Sequence, residues 1–337
     1  MIKVIFLVVS AFVLVGTSSC KESHPSELIN KEVIIDIDSL ITLYPDSVDL
    51  LLKRGSENFD KYDYDLAIND FAKAFRLDSN NLQARLLYAE VLNNRAERSV
   101  QDVAAAQRNY KIVVNKNPKN TRALVGLAST FLYQQDFKTT FQYVNEALRI
   151  DPKYRNAYVL KGTTYLALDN RDLAKSSYET AIQQDPEFYE AYFLLGQLYQ
   201  EEDNPLCVEY FVSAQKLKPE NLEFKYQVAY SKQNYNQVEG AKEMFREMAR
   251  DTVDIYVMRA LFHLGYIKQF ENRDLDSAMY FYKSALETDP RFYEAWYNLG
   301  ICHEEKGNIN QALKSYGNCL KYNPEFEAAI KRANNLR

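Results

Sequence analysis

The chain has 337 residues, 47% of them hydrophobic and 26% charged, which is the balance of an ordinary folded protein rather than a disordered one. Its formal net charge is −5 and it has no long basic run, so the electrostatic footprint of a nucleic-acid binder is missing and no nucleic-acid partner is expected. With 26 Tyr and 18 Phe against ten Gly, the composition suits packed helices and disfavours a turn-rich β protein.

In chain order, Lys3 precedes the apolar run Val4 to Val15, followed by Gly16, Thr17, Ser18, Ser19 and Cys20. As a helix that run spans about 18 Å against about 30 Å of bilayer hydrocarbon, so residues 1–19 read as a signal peptide and not as a membrane span. The small residues before Cys20 resemble the processing site of bacterial lipoproteins. That resemblance implies lipidation of Cys20, a membrane anchor, and a place in the bacterial cell envelope, periplasmic or surface-facing. Thr17 stands where that family prefers leucine, which leaves an ordinary secretory signal cut nearby as the alternative. Residues 20–37 are polar and aperiodic and read as the lipidated cysteine and its tether. Residues 38–47 read as a short lead-in helix capped by Asp38 or Ser39 and ending before Pro45.

Beyond Pro45 the sequence repeats. Pro118, Pro152 and Pro186 are 34 residues apart, as are Pro290 and Pro324, and Pro45 to Ser79 has the same length. Each of these slots closes one pair of amphipathic helices. Twelve residues before the slot stands a small side chain: Ala67, Ala106, Ala174, Cys207, Ala278 or Ala312. Eight before it stands a bulky one: Phe71, Tyr110, Tyr178, Phe211, Tyr282 or Tyr316. Glycine recurs about twenty-four before it, at Gly55, Gly162, Gly196, Gly265 and Gly300. Small residues let two antiparallel helices approach closely, and large ones fill the space beside the contact.

These residues, with the W-x-x-L-G of Trp296 to Gly300 and the tail Ala312, Tyr316, Cys319, Pro324, resemble the tetratricopeptide repeat family. The resemblance implies an all-α, right-handed α-solenoid of about eight helical hairpins, its concave surface lined by the first helix of each pair. The repeats are placed at 48–81, 82–120, 121–154, 155–188, 189–221, 222–257, 258–292 and 293–326. The second carries a longer turn near Asn94 to Val100, and the sixth is degenerate. Residues 327–337 read as a polar capping helix that shields the last apolar face.

No catalytic constellation stands out, and no enzymatic activity, cofactor or metal is expected. Of three histidines, His24 lies in the tether, while His263 and His303 sit in first helices with no H-E-x-x-H. His303 takes the place of a buried ring. Cys207, Cys302 and Cys319 form no C-x-x-C and read as small buried thiols, with a Cys302–Cys319 disulfide as the alternative. Adjacent carboxylates such as Glu304 and Glu305 project about 100° apart on a helix, a poor arrangement for an acid–base pair.

The inner surface is the expected site. In each first helix a stripe at helical spacing lies away from the buried one: Val125, Ser129, Leu132 and Tyr133, then Val159, Thr163 and Leu166, then Phe193, Gln197, Gln200 and Glu201. It continues through Tyr226, Tyr230, Gln233 and Asn234, then Phe262, Tyr266, Gln269 and Phe270, then Tyr297, Ile301, Glu304 and Glu305. Rings interleaved with amides suit an extended peptide. The partner-binding set is Tyr133, Phe193, Gln197, Tyr226, Tyr230, Gln233, Phe262, Tyr266, Phe270, Tyr297 and Glu304, although any single ring could instead pack between repeats. Chaperone-binding members of the family grip a C-terminal carboxylate with Lys and Asn on this face. Here Val125, Val159, Phe193, Gln197 and Thr163 occupy those places, so that clamp is not implied. Glu190, Glu223, Glu294, Glu304 and Glu305 tilt the half acidic, which favours a neutral to basic protein or peptide. The expected function is a non-enzymatic, membrane-tethered scaffold. Two alternatives are a glycan- or cell-wall-binding solenoid and a non-catalytic subunit that positions an envelope enzyme.

Overall fold

The computed structural model describes residues 36–95 and 97–337; the signal peptide, Cys20 and most of the tether lie outside the described residues. All regular structure among them is helical. A lead-in helix, α1 (Ile37–Leu43), precedes eight antiparallel pairs. The first four are α2 (Val48–Asp60) with α3 (Tyr64–Leu77), α4 (Leu82–Asn94) with α5 (Val100–Lys116), α6 (Thr121–Tyr133) with α7 (Phe137–Ile150), and α8 (Arg155–Ala167) with α9 (Arg171–Gln184). The next four are α10 (Tyr189–Glu201) with α11 (Leu206–Leu217), α12 (Leu222–Asn234) with α13 (Val238–Met248), α14 (Asp254–Phe270) with α15 (Leu275–Thr288), and α16 (Tyr293–Glu305) with α17 (Ile309–Tyr322). Helix α18 (Glu327–Asn335) closes the stack. Each helix packs on its neighbours in sequence, and α2, α4, α6, α12 and α14 each also meet the first helix of the next pair, which is the arrangement of a solenoid.

The hairpin contact follows from residue size. In five of the pairs the bulky residue of the second helix lies against the glycine of the first, and a Cβ on Gly196 would stand 2.6 Å from the Phe211 ring. Phe71, Phe211, Tyr282 and Tyr316 are completely buried, as are the alanines at the crossing. In the third pair, whose slot is Ala128, Gly126 instead makes room for the Tyr110 ring of the preceding unit. Cys207, Cys302 and Cys319 are buried free thiols, so the Cys302–Cys319 bridge is not formed. They act as small apolar residues at the crossings.

Turns between paired helices reuse one device. Tyr62, Gln135, Asp169, Asp203, Asn236 and Arg273 have φ between 50° and 63°, and Gly307 has φ 74°. Asp63, Asp136, Asn170 and Asp274 then cap the second helix by accepting a backbone N–H.

Two boundaries depart from expectation. Helix α1 starts at Ile37, and its cap is Asp36 and not Asp38 or Ser39; the Asp36 carboxylate accepts the Ser39 N–H at 2.9 Å and its hydroxyl at 2.7 Å. Helix α14 starts at Asp254, so a boundary at 257/258 would fall inside its first turn. Residues 254–257 add a turn ahead of the repeat pattern.

Candidate docking groove

A trough of about 750 Å³ opens on the concave face between α10, α12, α14 and α16. Its walls include Gln200, Tyr226, Tyr230, Ile255, Met258, Phe262, Phe292 and Tyr293. First helices supply most of these because the second helix of each pair turns the other flank toward them, leaving the inner flank uncovered. Beneath the trough lies His263, which donates from Nδ1 to Gln233 Oε1 at 3.0 Å and accepts at Nε2 from the Tyr226 hydroxyl at 2.9 Å. Its ring stacks on Phe245 at 4.8 Å. Burial, reinforced by the nearby Arg259 guanidinium, holds its pKa down to about 4, so the imidazole is neutral.

The expected contact residues divide by their place on the helix. Rings three residues before the glycine slot are drawn into the joint between repeats. Phe193 lies against Phe211 and Phe224, Phe262 against Tyr282 and Phe292, and Tyr297 against Tyr316 and Phe326. Phe193 and Tyr297 are half-buried at the joints between repeats, Tyr297 also lining a smaller concavity of about 390 Å³ with Glu304, while Phe262 lines the trough. Tyr226 also packs on Phe245, and the Arg259 guanidinium stands 5.1 Å from its ring centroid. Rings one and five residues after the slot point outward. Tyr266 (37% exposed) and Phe270 (46% exposed) stand side by side at 4.5 Å, and Tyr230 is half-buried in the trough wall. Gln197 is half-buried, and Gln233 is engaged by His263. Tyr133 lies apart in the third pair, covered by the Arg98 guanidinium at 5.2 Å.

Two of the five carboxylates of the acidic tilt are paired within the chain, while Glu190, Glu294 and Glu305 make no ion pair among the described residues. Glu223 accepts from Gln227 Nε2 at 2.7 Å and the Tyr256 hydroxyl at 3.3 Å, and it pairs with Arg259 at 3.6 Å. Glu304 accepts from the Tyr316 hydroxyl at 2.5 Å and from Arg332 of α18 at 3.1 Å; Arg332 also donates to the Tyr297 hydroxyl. The capping helix thus engages Tyr297 and Glu304 at the carboxyl-terminal end of the stack. Among the described residues no cluster of three or more His, Cys, Asp or Glu could hold a metal ion, and no helix is long and apolar enough to cross a membrane.

A second concavity, of about 810 Å³, lies in the amino-terminal half; the inner stripe supplies Val125, Ser129, Val159 and Thr163 of its lining, but its charged residues were missed in the sequence. Its floor is the Glu90–Arg122 ion pair, made through two hydrogen bonds between α4 and α6, beside an Asn93–Ser129 bond of 2.7 Å. Glu90 follows its slot (Ala89) by one and Arg122 precedes Ala128 by six, so the signal was a charge pair one repeat apart on the inner stripe. Farther along the edge of the solenoid, the Tyr62 and Tyr189 hydroxyls meet at 3.2 Å, joining the first repeat to the fifth.

Three stretches, 95–155, 156–188 and 293–326, match family models described as tetratricopeptide repeat. The chain carries tetratricopeptide repeats, and its all-helical stack of hairpins is the fold they build. Its fold is similar to that in the crystal structure of the APC/C hetero-tetramer Cut9–Hcn1, with TM-score 0.58, 16% identity, and coverage of 88% of this chain and 57% of that one. It is also similar to that of the human IFIT1 dimer with m7Gppp-AAAA, with TM-score 0.56, 17% identity, and coverage of 85% and 76%. Among curated proteins, protein O-mannosyl-transferase TMTC3 of Homo sapiens is 25% identical over 222 residues, 64% of this chain and 21% of that protein. Protein bimA of Emericella nidulans is 34% identical over 59 residues, 18% of this chain and 7% of that protein. The matched stretches thus span about a fifth or less of those curated relatives.

Proposed function

We propose that this chain is a non-enzymatic scaffold that holds an extended segment of a partner protein in the trough of its carboxyl-terminal half. Proteins with these repeats bind proteins or peptides. The observation that carries the reading is the open trough itself, walled by the half-buried rings of Tyr230 and Phe262 and the exposed Ile255; Gln200 stands in the same wall, its Nε2 buried and without an acceptor among the described residues. A buried N–H without a partner costs about 1–3 kcal/mol, and a docked main-chain carbonyl would recover it. Tyr230 supplies a ring face in that wall, and Tyr266 and Phe270 stand exposed farther along α14.

The sequence adds a location. The apolar run Val4 to Val15 and the small residues before Cys20 support a lipoprotein tethered in the bacterial cell envelope. Two measurements test the reading. Cross-linked partners recovered with the wild-type chain should be reduced with Tyr230→Ala and Tyr266→Ala, and unchanged recovery would remove the groove. Fatty-acid labelling should disappear in Cys20→Ser, and a wild-type chain that takes up no label would end the anchor proposal.

A further inference from the structure

The trough is nearly uncharged in effect, which its sequence conceals. Three carboxylates line it, Glu223, Asp289 and Glu294, against Arg259 and Arg291. Arg259 pairs with Glu223, and Arg291 pairs with Asp289 at 3.2 Å. Only Glu294 makes no ion pair among the described residues, and two guanidinium groups share its trough. The chain's own arginines already cover ring faces at Tyr133 and Tyr226, and Arg332 occupies the Glu304–Tyr297 end. An incoming lysine or arginine would give up its hydration and meet a single free carboxylate beside like charges. The surface left open is apolar: Ile255 is 45% exposed, Tyr230 and Phe262 are half-buried, and Met258 lies buried at their base. Gln200 Nε2 lies in the same wall without an acceptor, and a peptide carbonyl carries the matching partial charge without a net one.

We propose that the trough selects an extended, uncharged segment of a partner protein. One large apolar side chain seats among Tyr230, Ile255, Met258 and Phe262, while Gln200 donates to a main-chain carbonyl next to it. This rests on the groove reading above and narrows it from a neutral or basic partner to an apolar anchor.

The test is selection of a random peptide library displayed on phage against the full chain, followed by affinity measurements on synthetic copies of enriched peptides. Enriched peptides should share one large apolar position whose replacement by alanine weakens binding about tenfold or more. Affinity should change less than about threefold between roughly 0.05 and 0.5 M NaCl, because screening acts on charge pairs and not on apolar contact. Gln200→Glu, folded as judged by its helical circular dichroism, should weaken binding about tenfold by replacing the donor with a second acceptor. Peptides rich in Lys or Arg whose affinity falls more than about tenfold with salt, or that depend on Glu294, would overturn the apolar anchor and leave the groove standing. The Gln200 assignment alone fails if Gln200→Glu binds as wild type does. Absence of any enriched peptide, or peptides that bind Tyr230→Ala unchanged, would overturn the groove itself.

Discussion

The Tyr226 hydroxyl donates to Nε2 of His263 across 2.9 Å, linking α12 to α14 beneath the trough floor. Because Nδ1–H is given to Gln233, this network needs the neutral imidazole. The folded pKa of about 4 lies below the ordinary 6.5, so between those values the unfolded chain binds the extra proton. Stability from this site is complete above pH 6.5, falls as pH drops through the window, and levels off below about pH 4, a loss of about 3 kcal/mol. Urea unfolding at pH 7 and at about pH 4.5 should show His263→Gln losing roughly 2–3 kcal/mol less than wild type on acidification. Equal losses in the two proteins would mean that His263 is not the titrating group.

Tyr226 cannot be treated as a pure contact residue, since it packs on Phe245 and holds His263. Tyr226→Ala should therefore destabilise the fold by about 2–4 kcal/mol. Tyr266 is exposed, and Tyr266→Ala should cost roughly 1–3 kcal/mol of partner binding with under about 0.5 kcal/mol of stability. Thermal unfolding of both variants separates the roles, and equal melting temperatures would refute the division.

The Glu90–Arg122 pair tests how a buried charge is tolerated. Glu90 is 7% exposed and burial raises its pKa, while the Arg122 side chain is 49% exposed. Arg122→Ala should cost about 2–3 kcal/mol by leaving the carboxylate without its partner, at the low end for such pairs because Arg122 is half in water. Adding Glu90→Gln should restore more than half of that loss in urea unfolding. A double variant no better than the single one would show that the charge was not the cause.

Glycines at two kinds of position should respond differently. Gly196→Leu drives a side chain into Phe211 and should cost about 1–3 kcal/mol or more through overpacking. Gly307→Ala meets nothing within 4 Å, yet its φ of 74° should cost about 1 kcal/mol through the backbone alone. Calorimetry on the two variants checks both values, and a neutral Gly307→Ala would show that the turn relaxes freely.

Spacing of small and bulky residues, from Ala67 and Phe71 through Ala312 and Tyr316, was enough to reveal stacked helical hairpins. Each hairpin is a local contact between neighbours in the chain, and local contacts leave a periodic trace. The inner stripe was legible to the same extent, as a set of residues not used within a hairpin. Periodicity could not say which rings on it stay open, because Phe193, Tyr266 and Tyr297 are sorted by how successive repeats tilt against one another. Nor could it show that Glu304 is met by Arg332, or that Tyr62 touches Tyr189, since those partners come from different units. Side-chain type and helical phase are written one repeat at a time. Exposure, pairing of charges and closure of the groove depend on the angle between repeats, a property that exists only once they are stacked.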